Sequence, residues 1–404
     1  MRRLISLAIL NAVALPAVAQ QLADRVANVR NGEASFSYAA RPDVCGDGHV
    51  LMLHWLDQGP QQVVFFDDGM AMGSVDMGRT RCTHGPARVQ LTVSEGQVTE
   101  LRPTVGGGHG HGPDLGTIGT KEATDYLLEL AQRASGDVSK RAMLAAAIAD
   151  SVTISARLVA MADDQRLHAA NREAALRWIE WTAEREGNTT ADAHVRTIAA
   201  DESDDPDVRE RAIRVVALPA GESFLEDLYT HLTLRDLKER VIRALGERPS
   251  PAANDWIERL VRNTHEPVEL RERAIRSLGE DQHEIRRLRA LYADLTDPEL
   301  KARVVRVAGE SNDAAATAWL KEIVADRTQP VEARDRALRA LEDGGVATAY
   351  LVSLYDTIGD PDLKLRLIKL LAERDDGAAR AKIADIIRHD PDPDLRRRAQ
   401  RARE

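Results

Sequence analysis

Cysteine is nearly absent from this 404-residue chain: Cys45 and Cys82 are its only two, both in the first quarter. They are not in a C-x-x-C arrangement, which argues against a redox pair. A single bridge fits a compartment where disulfides persist, and closing a loop of about 38 residues would stabilise a small module by about 4 kcal/mol. Aromatic residues are scarce at 4%, while alanine, leucine and arginine abound, so the core must be built from small and aliphatic side chains, the palette of a helical protein. Excess positive charge is missing too. With 55 basic and 65 acidic residues the net charge is −10, which disfavours nucleic-acid binding. The sequence contains no G-x-S-x-G elbow, H-E-x-x-H helix, Walker loop or dinucleotide fingerprint, so neither an enzyme nor a cofactor is expected.

The one apolar run, Leu4 to Leu15, is too short to span a bilayer comfortably. It follows two arginines and precedes Ala17-Val18-Ala19, the layout of a signal peptide cleaved after Ala19. The expected organisation is therefore a signal peptide at 1–19, a small β-rich domain at 20–105, a glycine-rich linker at 106–120 and a helical region at 121–404. The mature chain would be periplasmic or secreted, without membrane insertion. In the β region, "ARVQLTV" and "QVTELRPTV" alternate across the turn "SEG" like two arms of a hairpin. The stretch "GGGHGHGPDLGTIGT" is almost half glycine and cannot sustain regular structure cheaply.

From Lys121 onward one amphipathic helix keeps returning: "DVRERAIRVV", "DLKERVIRAL", "ELRERAIRSL", "ELKARVVRVA", "EARDRALRAL" and "DLKLRLIKLL". The anchors that follow each basic-x-basic triplet are Ala212, Val241, Ala274, Val304, Ala337, Leu367 and Ala399, spaced by 29 to 33 residues. The partner text repeats at twice that period. Leu228-Tyr229, Leu291-Tyr292 and Leu354-Tyr355 recur every 63 residues, as do Trp256 and Trp319, so two slightly different hairpins alternate. Asp205, Asp297, Asp360 and Asp392, each before a proline, are expected N-caps, and Gly246, Gly279 and Gly309 are expected left-handed C-caps. Two fainter units near Lys140 and Asn171 bring the total to about nine hairpins. None buries its apolar face alone, so the fold class expected is mainly α, an α-solenoid of about nine helical hairpins preceded by a small disulfide-linked β module.

Units such as "DPDVRERAIRVV" and "DPELKARVVRVAGE" resemble HEAT repeats, particularly the short phycobilin-lyase type, and "FSYAARPDVCGDG" is similar to secreted bacterial HEAT-repeat proteins with a small cysteine-bearing front domain. The resemblance implies an aspartate-to-arginine ladder between repeats, at Asp205 and Arg211, Asp297 and Arg303, Asp360 and Arg366, and Asp392 and Arg398. Leu234, Pro267 and Pro330 interrupt it before Arg240, Arg273 and Arg336.

Three positions around each anchor are basic: three before, one before and two after. On a helical wheel only the last points away from the core. That series, Arg214, Arg243, Arg276, Arg306, Arg339, Lys369 and Arg401, is the candidate binding set, and a protein or acidic peptide is the expected partner of a non-catalytic scaffold. In-helix pairing with Glu210, Glu239, Glu272 and Asp335 competes with binding, whereas Arg306, Lys369 and Arg401 have Ala302, Leu365 and Arg397 four residues earlier. The alternative reading places a metal or small ligand among His49, His54, His84, His109 and His111 of the front module. Those histidines lack Cys or Glu partners at ligand spacing, so no metal site is assigned.

Overall fold

The protein's computed structural model describes residues 17–48, 51–53, 63–66, 70–73, 82–107, 112–216, 221–247, 250–278, 285–311 and 313–403. The expected signal peptide lies almost wholly outside them. Among the described residues the chain is mainly helical, with a small sheet near its amino terminus. It divides into two compact units, Met1–Ala217 and Leu218–Glu404.

The first unit opens with α1 (Ala17–Ala27), whose Leu22 and Val26 are buried. Among the described residues eight strands follow: β1 (Gly32–Tyr38), β2 (Val44–Gly46), β3 (Leu51–Leu53), β4 (Val63–Phe66), β5 (Met70–Gly73), β6 (Ala87–Ser94), β7 (Gln97–Val105) and β8 (Asp114–Thr117). The main sheet has the order β7-β6-β1-β8; β6 and β7 form the expected hairpin, and β8 runs parallel to β1. Alternation along β6 buries Ala87, Val89, Leu91 and Val93 on one face. Cys45 and Cys82 form the disulfide, with Cα atoms 5.3 Å apart, beside a bridge between Gly46 and Thr83. Gly106 covers that bridge at φ +82, where a Cβ would sit 2.1 Å from the Gly46 carbonyl oxygen. Only glycine fits there.

The described residues of the stretch 106–120, expected as a linker, are built into the first unit. The carboxyl-terminal half of the stretch supplies β8, and the division between compact units falls at Ala217. Helices follow directly, as the hairpins α2 (Thr120–Arg133) with α3 (Gly136–Ala147), α4 (Ser155–Asp163) with α5 (Ala169–Glu186), and α6 (Ala191–Ala200) with α7 (Pro206–Val215). The front module is locked to α5. Arg41 lies over the buried Trp181 ring at 5.5 Å, Arg185 at 4.2 Å, and Arg41 pairs with Glu186 at 3.3 Å. The Glu186 carboxylate also accepts the Ile154 and Ser155 backbone N–H groups at 3.0 and 2.8 Å, capping α4 from a distant helix.

Among its described residues the second unit holds six hairpins: α8 (Glu222–His231) with α9 (Arg235–Glu247), α10 (Pro251–Arg262) with α11 (Val268–Leu278), α12 (Ile285–Asp294) with α13 (Pro298–Glu310), α14 (Ala314–Ala325) with α15 (Val331–Asp343), α16 (Thr348–Thr357) with α17 (Pro361–Ala372), and α18 (Gly377–His389) with α19 (Pro393–Arg403). Second helices pack in succession, α9 on α11, then α13, α15, α17 and α19. Asp297 and Asp360 cap their helices by accepting two backbone N–H groups each, Asp205 and Asp392 one each. The 63-residue echo is a ring contact: Tyr229 meets Trp256 edge-on at 5.1 Å, and Tyr292 meets Trp319 at 5.5 Å.

Two expected caps are corrected. Gly246 and Gly309 lie inside α9 and α13, not in left-handed caps, and Gly279 lies outside the described residues. Their role is close approach. A Cβ on Gly246 would stand 2.6 Å from Ser277 Cβ, and one on Gly309 would stand 2.5 Å from Ala340 Cβ, so each glycine admits the next second helix. Gly246→Ala and Gly309→Ala should each destabilise the chain by about 1–3 kcal/mol through overpacking. Gly377→Ala, on the first turn of α18 with open space around it, should be neutral or slightly stabilising. Equal urea midpoints for all three variants would refute the close-approach role.

Candidate functional site

The basic positions of the second helices do three different jobs. Three residues before the anchor, arginine and lysine alternate. Arg271 donates Nε–H to the Val261 carbonyl at 2.7 Å and Arg334 to the Val324 carbonyl at 2.9 Å, as Arg172 and Arg209 do in the first unit to Ala162 at 2.7 Å and Ala199 at 3.3 Å. Those carbonyls belong to last turns of first helices, which have no intrahelical donor. Lys238, Lys301 and Lys364 instead lie over the rings of Tyr229, Tyr292 and Tyr355 at 4.7, 4.8 and 4.9 Å. Burial, then a hydrogen bond to Glu266, pushes the Tyr229 phenol well above its usual range, so it remains a donor at any physiological pH.

One residue before the anchor, the arginine reaches the preceding second helix at two junctions, while Arg240 pairs with Glu247 of its own helix at 2.7 Å. Arg303 on α13 donates to Glu272 on α11 at 2.6 Å, and Arg366 on α17 donates to Asp335 on α15 at 3.0 Å. These rungs replace the aspartate-to-arginine ladder that the repeat resemblance implies, because the ladder aspartates are occupied as N-caps. The acid comes instead from two residues before the anchor of the neighbouring helix.

Two residues after the anchor, Arg214, Arg276, Arg306, Arg339, Lys369 and Arg401 are exposed as expected, and Arg243 is half-buried. The in-helix pairing is sparser than the sequence suggests. Asp335 holds Arg339 at 2.7 Å, but Glu239 pairs with Arg235 at 2.9 Å and Glu272 is taken by Arg303, whereas Lys369, without an acid four residues earlier, pairs forward with Glu373 at 3.6 Å. Arg214 belongs to the first unit, beside Arg177 and Arg211, whose pKa values burial and mutual repulsion lower. Arg177 is the equivalent residue of α5. Sequence reasoning missed it because Ala174 stands where the basic triplet requires a cation, although Arg172 and Arg177 flank Ala175 at the right spacing.

Two open troughs lie along this face of the second unit. The first, ≈ 690 Å³, runs between α13 and α15 and brings Arg306, Arg336 and Arg339 together with Ala302, Glu310, Glu332, Asp335 and Asp343. The second, ≈ 700 Å³, joins Lys369, Arg366 and Arg398 with Leu365, Glu332, Asp335 and Asp362. Arg336 and Arg398 are additions to the candidate set. Neither trough gathers Arg243, Arg276 or Arg401. In the first unit a cleft of ≈ 500 Å³ contains Ser155, Asp163, Glu186, Asn188 and His194, whose polar groups engage one another: Asn188 donates to Ser155 Oγ at 3.0 Å and His194 Nδ1 lies 2.9 Å from Asp163.

Of the histidines named for a metal, His49, His54, His109 and His111 lie outside the described residues; His84 Nδ1 is 3.1 Å from the Val44 carbonyl oxygen. Among the described residues no three His, Cys, Asp or Glu side chains are grouped to hold a metal ion.

No family model matches the chain, and no curated protein matches it. Solved structures matching it include human deoxyhypusine hydroxylase in complex with glycerol, at 16% identity over 55% of this chain and 86% of that one, with a TM-score of 0.28. The expectation that the chain is not an enzyme is corrected by this match, since the matching protein is one. At this TM-score the match transfers neither fold nor activity.

The rungs carry a measurable prediction. A double-mutant cycle of Asp335→Ala and Arg366→Ala should return a coupling of about 1 kcal/mol that shrinks with added salt, as for partly exposed ion pairs. Additive single effects at low salt would show that the rung is not formed.

Proposed function

We propose that the chain is an exported HEAT-like α-solenoid that serves as an interaction scaffold, holding a protein or acidic peptide partner on the second-helix face of Leu218–Glu404. One observation carries the reading: exposed cations of successive, mutually packed helices converge in two troughs on one face, Arg306 with Arg336 and Lys369 with Arg398. Each trough is also rimmed by carboxylates, which favours spaced acidic groups over a dense polyanion such as nucleic acid. Export is supported by the Cys45–Cys82 disulfide, and no described helix is long and apolar enough to cross a membrane.

Crosslinking in the native cell envelope, followed by identification of what is attached, should recover one partner. Arg306→Glu combined with Lys369→Glu should abolish that capture while leaving the circular dichroism spectrum and thermal midpoint intact, because both residues are exposed. Undiminished capture by the folded double variant would refute the scaffold face.

A further inference from the structure

The first trough lies where a rung is missing; the second reaches from the complete Asp335–Arg366 rung to the α17/α19 junction, where one is missing. At α11/α13 and α15/α17 the acid two residues before the anchor, Glu272 or Asp335, receives the arginine of the next helix. At α13/α15 and α17/α19 that same position holds Ala302 and Leu365, while the arginines that would reach it, Arg336 and Arg398, are retained. Ala302 and Arg336 both line the first trough, Leu365 and Arg398 the second. Among the described residues Arg306, Arg336 and Arg398 form no ion pair, and both arginines of the incomplete rungs are exposed. Each trough thus brings together a position that holds an acid at the complete rungs and an arginine that has no ion pair among the described residues.

We propose that carboxylates of an acidic peptide complete these two rungs from outside, one entering beside Arg336 and Arg306, the other beside Arg398 and Lys369. This rests on the scaffold reading above and specifies its ligand. Glu310, Glu332, Asp335 and Asp343 line the first trough and Glu332, Asp335 and Asp362 the second, so neither carries a net positive charge; a continuous acidic run is repelled, and a carboxylate is admitted only where it meets a guanidinium directly. The two junctions lie two helix spacings apart, roughly 20 Å for packed helices. An extended peptide covers that distance in about six residues. The recognised pattern is therefore two acids separated by about five uncharged residues, and the two contacts reinforce each other through their shared chain.

The test uses the full mature chain and a fluorescent nine-residue glycine-serine peptide with glutamates at its second and eighth positions, read by anisotropy at low salt. This peptide should bind at least tenfold more tightly than its diglutamine counterpart. Supplying the missing acids internally, by Ala302→Glu with Leu365→Glu, should weaken binding at least tenfold, whereas Ala302→Gln with Leu365→Gln should weaken it less than threefold. If the acid pair unfolds the helices, Arg336→Gln with Arg398→Gln, at exposed positions, should give the same tenfold loss. Equal binding of both peptides, no binding of either, or full affinity in the folded acid variants would overturn the proposal. Partner capture that still depends on Arg306 and Lys369 would then leave the scaffold face standing without its rung-completing ligand.

Discussion

Contact between consecutive second helices is the constraint on which the second unit depends. A hairpin of about thirty residues has one apolar stripe and cannot cover it, so stability comes from the neighbour and not from the hairpin itself. The anchors Val241, Ala274, Val304, Ala337, Leu367 and Ala399 are all fully buried, and every one is small or aliphatic. Small residues let the backbones approach. Where Ser277 or Ala340 projects from the next helix, the facing residue is Gly246 or Gly309, and the absence of a Cβ sets the distance.

Once the helices are that close, the cations beside the anchors have defined surroundings. A long basic stem can lie along the apolar face and carry its charge to a waiting acceptor. Alternate hairpins offer different acceptors, and the residue alternates to match. Arginine, with a directional Nε–H, meets a helix-end carbonyl; lysine, a compact charge, meets a tyrosine face. The pattern adapts near the carboxyl terminus. Where Trp256 and Trp319 pack on their tyrosines, the corresponding residue is Lys382, whose ammonium lies 5.3 Å from the Tyr355 ring and is held by Asp356 and Asp385 at 2.5 and 3.4 Å. The ring thus has a cation from two helices, with Asp390 accepting its hydroxyl at 2.8 Å.

Features written in local chemistry were legible in the sequence. The Asp-Pro helix starts, the β6–β7 hairpin, the single disulfide and the alternation of hairpins all depend on residues near one another in the chain or on a strict period. Features that depend on a neighbouring element were not. Gly246 and Gly309 sit in "LGE" and "AGE" contexts that read locally as caps, and only the approach of Ser277 and Ala340 shows otherwise. Glycine content hid β8, because its pairing with β1 is decided some eighty residues away. The rung acids escaped for the same reason, lying on the preceding helix and not six residues upstream of the arginine.

Charge on this surface is therefore assigned by its counterpart and not by its own identity. Arg303 and Arg336 occupy equivalent positions on helices one repeat apart, yet the first is satisfied and the second is not, solely because Glu272 faces one and Ala302 the other. Solvation alone does not require an arginine at an incomplete rung, since any polar residue would serve on an exposed helix. Retaining the cation while removing its acid leaves Arg336 without an ion pair among the described residues, in a trough that also holds Glu310, Glu332, Asp335 and Asp343.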